Sequence, residues 1–261
     1  ICEEGAKGGG TSPRSMKKAM LLLMGGLLGV SAVSSLVASW RPVSVGPEPS
    51  WHASSPPRSG ATAASDGEGS IWLFGGYAEP DDAPRDVVND LLRFSSSRWQ
   101  QLQPARRGAR RQPRGRLASA SALSDGELLL FGGWDPQKPG SGGVILDDVW
   151  SLDLRTAAWR QCDEPMPRGA VSRHVAASVG GLVVVHTFRC LSSVLVWDAS
   201  RRALREQITT GDAPSARGLH VGAAADERTL VVFGGADKAG AMCNDAFALD
   251  TIDWEWRRLA A

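Results

Sequence analysis

One phrase recurs along the chain: an apolar run closing in a glycine pair, then an Asx-Asp pair, then a tryptophan. Its copies are Ile71-Trp72-Leu73-Phe74-Gly75-Gly76 with Asn89-Asp90 and Trp99; Leu128-Leu129-Leu130-Phe131-Gly132-Gly133 with Asp147-Asp148 and Trp159; and Leu230-Val231-Val232-Phe233-Gly234-Gly235 with Asn244-Asp245 and Trp256. A blurred fourth copy, Leu182-Val183-Val184-Val185, ends in His186-Thr187 where the others carry two glycines. Repetition at roughly fifty residues constrains the fold strongly. No unit of that size buries its own apolar face, so the units must stack and share a core.

Each unit opens with proline and arginine followed by small residues: Pro57-Arg58, Pro113-Arg114, Pro167-Arg168, and Pro214 with Arg217. A first strand of small residues follows, as in Ala118 to Leu123 or Val221 to Ala225, then a turn such as Ser124-Asp125-Gly126 and the apolar run. Asp-Gly between two such runs is a strong hairpin signal, and a short run rich in β-branched and aromatic residues reads as a buried strand. The glycine pair permits positive φ and lets the backbone leave the strand beside a neighbouring unit. A longer loop ends at the Asx-Asp pair, whose side chains are expected to accept loop N–H bonds. Third strands follow at Leu91-Leu92-Arg93-Phe94, Val149-Trp150-Ser151-Leu152, Val194-Leu195-Val196-Trp197 and Ala246-Phe247-Ala248-Leu249. Fourth strands begin at Trp99, Trp159 and Trp256, with Leu204 in that slot of the blurred unit. A tryptophan there can bury on the order of 200 Å² between units.

Four antiparallel strands per unit without helical periodicity predict an all-β propeller. On the glycine pairs, Asx-Asp pairs and tryptophans, the chain resembles the kelch-repeat family over residues 57 to 259. The resemblance implies four four-stranded blades, at about 57–102, 113–162, 167–208 and 214–259. It departs from the family in the third unit, which lacks both glycines and the tryptophan. It also departs on the third strand, where the frequent aromatic is Phe94 once and Leu152 or Leu249 elsewhere. Residues 40–46, from Trp40, resemble a fourth strand of the kind that clasps a propeller shut. If they do so, two or more blades belong on the C-terminal side and the visible blades form an incomplete, open propeller. A tight four-bladed ring is the rival expectation.

Composition describes an ordinary folded protein, with 43% apolar residues and a formal charge of +1, and nothing global recommends nucleic acid. The N-terminal leader, residues 1–39, differs. Met16-Lys17-Lys18 precede an uncharged apolar segment over 19–39, and Val37-Ala38-Ser39 are small residues ahead of Trp40. That pattern reads as a secretory signal peptide cleaved after Ser39. Uncleaved, the same segment is an apolar helix long enough to anchor the chain in a membrane; an organelle-targeting leader is a further alternative. Cys190 and Cys243 fall in corresponding loops of consecutive units, where an oxidising compartment would permit a disulfide. Cys162 takes an apolar slot.

Groups suited to catalysis are sparse. His174 and His220 share one slot of the repeat, which favours a structural hydrogen-bonding role, and His186 is the one histidine retained as a candidate. No metal or nucleophile signature is present in the sequence. Some kelch propellers are copper oxidases that use tyrosines, but this chain holds only Tyr77. Arg106, Arg107, Arg110 and Arg111 form a basic connection that could meet an acidic surface. The acidic residues Glu79, Asp81, Asp82 and Asp86 lie in the preceding loop, with no EF-hand spacing. The expectation is therefore a non-catalytic scaffold without a cofactor, holding a protein or glycan partner in its loops at 77–88, 103–113, 134–146 and 236–243. The alternative is a secreted carbohydrate-active or metal-dependent kelch enzyme.

Overall fold

The computed structural model describes residues 57–78, 86–102, 112–137 and 142–260, and the blades below lie within the unit Val43–Arg258, the end of the last strand excepted. The expected leader with its apolar helix, the clasp segment 40–46 and the basic residues Arg106, Arg107, Arg110 and Arg111 lie outside the described residues. So do Glu79, Asp81 and Asp82.

The described chain is all-β, and its strands group into antiparallel sheets with first, second, third and fourth strands adjacent in chain order. Sheet 1 comprises Thr62–Ser65, Ile71–Phe74, Leu91–Ser95 and Arg98–Leu102. Sheet 2 comprises Ala120–Ser124, Glu127–Asp135, Val144–Asp153 and Ala158–Gln161. Sheet 3 comprises Val175–Val179, Leu182–His186, Ser193–Asp198 and Ala203–Ile208. Sheet 4 comprises Val221–Ala224, Thr229–Phe233, Ala246–Asp250 and Glu255–Leu259, with Thr210–Gly211 added in parallel on its outer strand.

Register corrects one sequence expectation. Thr62 pairs with Phe74, Ala120 with Phe131, Val175 with His186, and Val221 with Phe233. His186 therefore occupies the phenylalanine slot of the third unit, and Thr187-Phe188, not His186-Thr187, replace the glycine pair. Leu182–His186 has the same five-residue length as Thr229–Phe233 of sheet 4, so its last residue aligns with Phe233 and the pair that follows it with the glycines.

The first strands of successive sheets lie side by side, 1 against 2, 2 against 3 and 3 against 4. A backbone ladder links the segments that enter them. Ala118 N–H donates to Gly60 O at 2.8 Å, Arg173 N–H to Ala118 O at 2.8 Å, and Leu219 N–H to Arg173 O at 3.0 Å. Each of these residues has positive φ, including 51° at Ala118, 60° at Arg173 and 61° at Leu219. Three consecutive side-chain-bearing residues accept that cost because each supplies one rung.

Faces alternate along each second strand, so each sheet buries one set of side chains forward and the other backward. Phe74 and Trp72 of sheet 1 pack with Leu128, Leu130, Trp150 and Trp159 of sheet 2. Leu129 and Phe131 of sheet 2 pack with Val183, Val185, Trp197 and Leu204 of sheet 3. Val184 and Val196 of sheet 3 pack with Leu230, Val232, Phe247 and Trp256 of sheet 4. One aromatic contact recurs at each seam: Phe74 with Trp159 at 5.2 Å, Phe131 with Trp197 at 6.4 Å, and His186 with Trp256 at 5.6 Å between centroids. In sheet 3, Trp197 of the third strand thus supplies the ring that Leu204 cannot.

Third-to-fourth turns use the aspartate that ends the third strand. Asp153 accepts N–H bonds from Arg155 and Thr156, Asp198 from Ser200 and Arg201, and Asp250 from Ile252 and Asp253. Sheet 1 has Ser95 there, and Ser96 and Ser97 take positive φ instead, the pattern of a two-residue type I′ turn.

Candidate binding face and the clamps beneath it

In a four-stranded meander, the second-to-third loops and the connections between sheets leave from the same end. The first-to-second and third-to-fourth turns leave from the other. Here the turns are tight, as at Asp125-Gly126 and Gly180-Gly181, while the connections at the opposite end are long. Loops of neighbouring sheets touch at that end. Gln137 Nε2 of sheet 2 donates to Asp86 Oδ1 of sheet 1 at 2.5 Å, and Asn89 Nδ2 donates to Pro113 O at 3.3 Å. The side chains displayed are mixed: Arg114, Arg168, Arg189 and Lys238 are exposed among Leu191 (59% exposed) and Met242 (77%).

Directly beneath the loops sits a repeated ion-pair clamp. Arg58 donates to Asp90 through Nη1 at 2.8 Å and Nη2 at 3.0 Å, and to Gly75 O at 3.0 Å. Arg116 donates to Asp148 at 2.6 and 2.9 Å and to Gly132 O at 2.8 Å. Arg217 binds both carboxylate oxygens of Asp245 and donates to Gly234 O at 3.1 Å. The arginine side chains are buried, with 6%, 0% and 1% exposure. Hydrogen bonds from Arg217 hold the Asp245 carboxyl below its ordinary range.

The clamp revises the expected roles of two motifs. The second residue of each Asx-Asp pair is held by an arginine; Asp148 also accepts Trp150 Nε1 at 2.7 Å. Within the proline-arginine openings, the buried arginine of the second unit is Arg116, not Arg114, which reaches Asp135 from the surface at 3.2 Å. In sheet 3 the corresponding backbone position is Val171, whose carbonyl accepts Gly133 N–H as Arg116 O accepts Gly76 N–H. Its carboxylate slot is Ser193, and both residues are 1% exposed. The sequence signal for the clamp was the proline-to-arginine spacing in Pro113 to Arg116 and Pro214 to Arg217, read against the Asx-Asp pair.

At Gly133 a side chain is excluded by packing: a Cβ would lie 2.9 Å from Ser119 Cβ and 3.0 Å from Leu117 O, with φ at 112°. The backbone there runs against the segment entering its own sheet. Trp159 and Trp256 are buried at the seams, whereas Trp99 is half-buried against Phe94 at 5.2 Å. The first members of the Asx-Asp pairs, Asn89, Asp147 and Asn244, are not buried.

Beside the inner strands lies a cleft of about 200 Å³ bordered by Thr62, Ser119, Ser121, His174 and His220. Thr62 Oγ1 and Ser121 Oγ meet across sheets 1 and 2 at 2.7 Å. His186 Nδ1 and His220 Nε2 lie 3.0 Å apart across sheets 3 and 4. Burial drives all three histidines toward the neutral form, His174 and His186 to a pKa of about 3 and His220 to about 4. His186 and His220 form a neutral hydrogen-bonded pair in the seam, while both ring nitrogens of His174 are buried without a hydrogen-bond partner among the described residues. A second cleft of about 410 Å³ has Arg160, Cys162, Glu164, Arg201 and Arg202 on its walls; Arg201 pairs with Glu164 at 3.7 Å within it, and Arg202 pairs with Glu127 outside it at 3.2 Å. Among the described residues, no group of three or more His, Cys, Asp or Glu is placed to hold a metal ion, and no helix is long and apolar enough to cross a membrane.

Cys190 and Cys243 are both free, which corrects the disulfide considered from their loop positions. Cys190 is buried beside Thr187 in the sheet 2–3 seam, while Cys243 sits in a loop of sheet 4.

Residues 34–192 match the family model described as the KLHDC2/KLHL20/DRC7 Kelch-repeats domain. Among curated proteins, the chain is 28% identical over 158 residues to acyl-CoA-binding domain-containing protein 5 of Arabidopsis thaliana, covering 54% of this chain and 22% of that protein. It is 25% identical over 206 residues to the leucine-zipper-like transcriptional regulator 1 homolog of Drosophila melanogaster, covering 72% and 20%. It is also 30% identical over 132 residues to multiple epidermal growth factor-like domains protein 8 of Mus musculus, covering 48% and 4%. The chain thus spans about a fifth or less of the length of these relatives. With more than half of its residues under one family model, and with units built as four-stranded antiparallel sheets, the chain belongs to the kelch-repeat family.

Proposed function

We propose that this chain is a non-catalytic kelch scaffold that binds a protein partner on the end of the blades where the long loops gather. One observation carries the reading: the tight turns lie at one end and the long connections at the other, above arginine clamps at the start of the third strands of sheets 1, 2 and 4. Variable loops on rigid supports are where recognition is commonly placed. Arginine and methionine, both displayed there, are enriched at protein interfaces. Neutral histidines packed in seams serve this reading better than they serve proton transfer at a surface.

The test is a comparison of two charge-reversal sets. Arg114→Glu, Arg168→Glu and Arg189→Glu alter the loop end; Arg155→Glu and Arg201→Glu alter the turn end. Cross-linking mass spectrometry in cells should lose its principal protein cross-links with the first set and keep them with the second. Equal loss, or none, would count against the loop end as the binding face. The leader read in residues 16–39 would deliver the scaffold to the secretory pathway, and a mature N-terminus at Trp40 is the outcome that N-terminal sequencing should return.

A further inference from the structure

The backbone ladder that joins the sheets also lines up the side chains that follow it. Gly60, Ala118, Arg173 and Leu219 are linked in a row by hydrogen bonds, and the next residues in the chain are Ala61, Ser119, His174 and His220. Three polar side chains therefore stand on successive rungs, at the roughly 5 Å spacing of hydrogen-bonded backbone. Each lies one residue ahead of its first strand, where the connection from the preceding sheet arrives, so the row is at the loop end.

These side chains are buried with bonds unmade. Ser119 is 9% exposed, His174 6% and His220 5%. Ser119 Oγ, both ring nitrogens of His174 and Nδ1 of His220 have no hydrogen-bond partner among the described residues. All three residues border the cleft of about 200 Å³, beside the hydroxyls of Thr62 and Ser121. A buried polar atom left unpaired is costly, and a group entering the cleft that pairs with it recovers that cost.

The lining selects the chemistry of the occupant. Among the described residues bordering the cleft there is no Asp, Glu, Lys or Arg, and burial keeps His174 and His220 neutral. Arg217, whose charge acts on His220, is held by Asp245. An ion would give up its hydration here with no counter-charge to meet it. A neutral imidazole offers one N–H and one lone pair, and a hydroxyl both donates and accepts, so the occupant must do both as well. Asparagine and glutamine carry donors and acceptors on two atoms of one uncharged group, which suits side chains on separate rungs; serine and threonine concentrate theirs on a single oxygen.

We infer, resting on the loop-end reading of partner binding, that this cleft receives the carboxamide of an asparagine or glutamine side chain of the protein partner. Such a contact sets a preference for an uncharged residue at one point of an otherwise charged loop end.

The probe is acetamide, with acetate as its charged counterpart, titrated against the full chain while the imidazole ¹⁵N resonances of His174 and His220 are followed. Acetamide should shift both saturably, with a Kd on the order of millimolar for so small a ligand. Acetate should bind at least about tenfold more weakly, since a charge is not compensated there. Ser119→Ala and His174→Phe should each weaken acetamide by about tenfold, the loss of one hydrogen bond. Circular dichroism matching the wild type establishes that a variant is folded, and Ser119→Ala, which removes only a hydroxyl, carries the comparison if His174→Phe does not fold. Absence of a saturable shift, acetate binding as well as acetamide, glycerol binding more tightly than acetamide, or folded variants that bind as the wild type does would each overturn the assignment. Acetamide binding requires no partner, so it can succeed where the loop-end charge reversals leave cross-links unchanged; that pair of results would keep the carboxamide site and reject the loop end as the protein-binding face.

Discussion

Arg116 and Asp148 meet through two parallel hydrogen bonds of 2.6 and 2.9 Å, and the arginine side chain is wholly withdrawn from water. A buried guanidinium needs its counter-charge, since desolvating an unpaired ion costs several kcal/mol. Sheet 3 illustrates the rule: where the arginine is replaced by Val171, the aspartate is replaced by Ser193, and both partners have changed together. Asp148→Ala should therefore destabilise the fold by about 3 kcal/mol in denaturant unfolding. Arg116→Val with Asp148→Ser, which installs the pair of sheet 3, should cost less than Asp148→Ala alone. Costs that simply accumulate would show that the two residues do not act as a unit.

The seam tryptophans lend themselves to a graded comparison. Trp159 is 5% exposed and Trp256 2%, whereas Trp99 is half-buried. Truncating a buried tryptophan removes its transfer energy and leaves a cavity, typically about 3–5 kcal/mol. Trp159→Ala and Trp256→Ala should fall in that range, measured by the shift in urea midpoint. Trp99→Ala, measured on the dilute chain, should cost about half as much or less, in proportion to burial. Equal losses at all three positions would contradict the seam assignment.

Strand content was readable because the signal is local: alternating burial, Asp-Gly turns and tryptophans placed once per unit. What escaped depended on partners far apart in sequence. The clamp joins residues such as Arg116 and Asp148, separated by 32 positions, and its arginine could not be told from Arg114 by composition alone. The slip at His186 has a different cause: without glycines to mark the strand end, Leu182–His186 offers no internal signal for where pairing stops. Loop positions likewise could not show that Cys190 points into a seam.

The free cysteines should separate by reactivity. Burial raises the Cys162 thiol to about 11 and moves Cys190 upward as well, so neither is an available thiolate at neutral pH. Cys243 lies half-buried in a loop. A thiol-reactive probe followed by peptide mapping should label Cys243 in the native protein and reach Cys162 and Cys190 only on unfolding. Early labelling of Cys190 would place it outside the seam.

Acid should loosen the seam between sheets 3 and 4. His186 and His220 are hydrogen-bonded there, with His174 near His220 and Arg217 acting against protonation of both. Because burial sets their folded pKa values at about 3 to 4, below the ordinary 6.5, the unfolded chain takes up protons first as pH falls. Their neutral forms are fully compatible with the fold above about pH 6.5, and stability declines from there toward pH 4 by about 1.4 kcal/mol per pH unit for each fully buried histidine. Asp245 acts in a different window: its carboxyl is held below 3.8, so its stabilisation is intact above that value and is lost only in stronger acid. His186→Phe restores the ring found in sheets 1 and 2, removes one titrating group, and should flatten the slope between pH 6.5 and 4. Urea unfolding at stepped pH measures this directly, and an unchanged slope would mean that His186 is already protonated or solvated in the native seam.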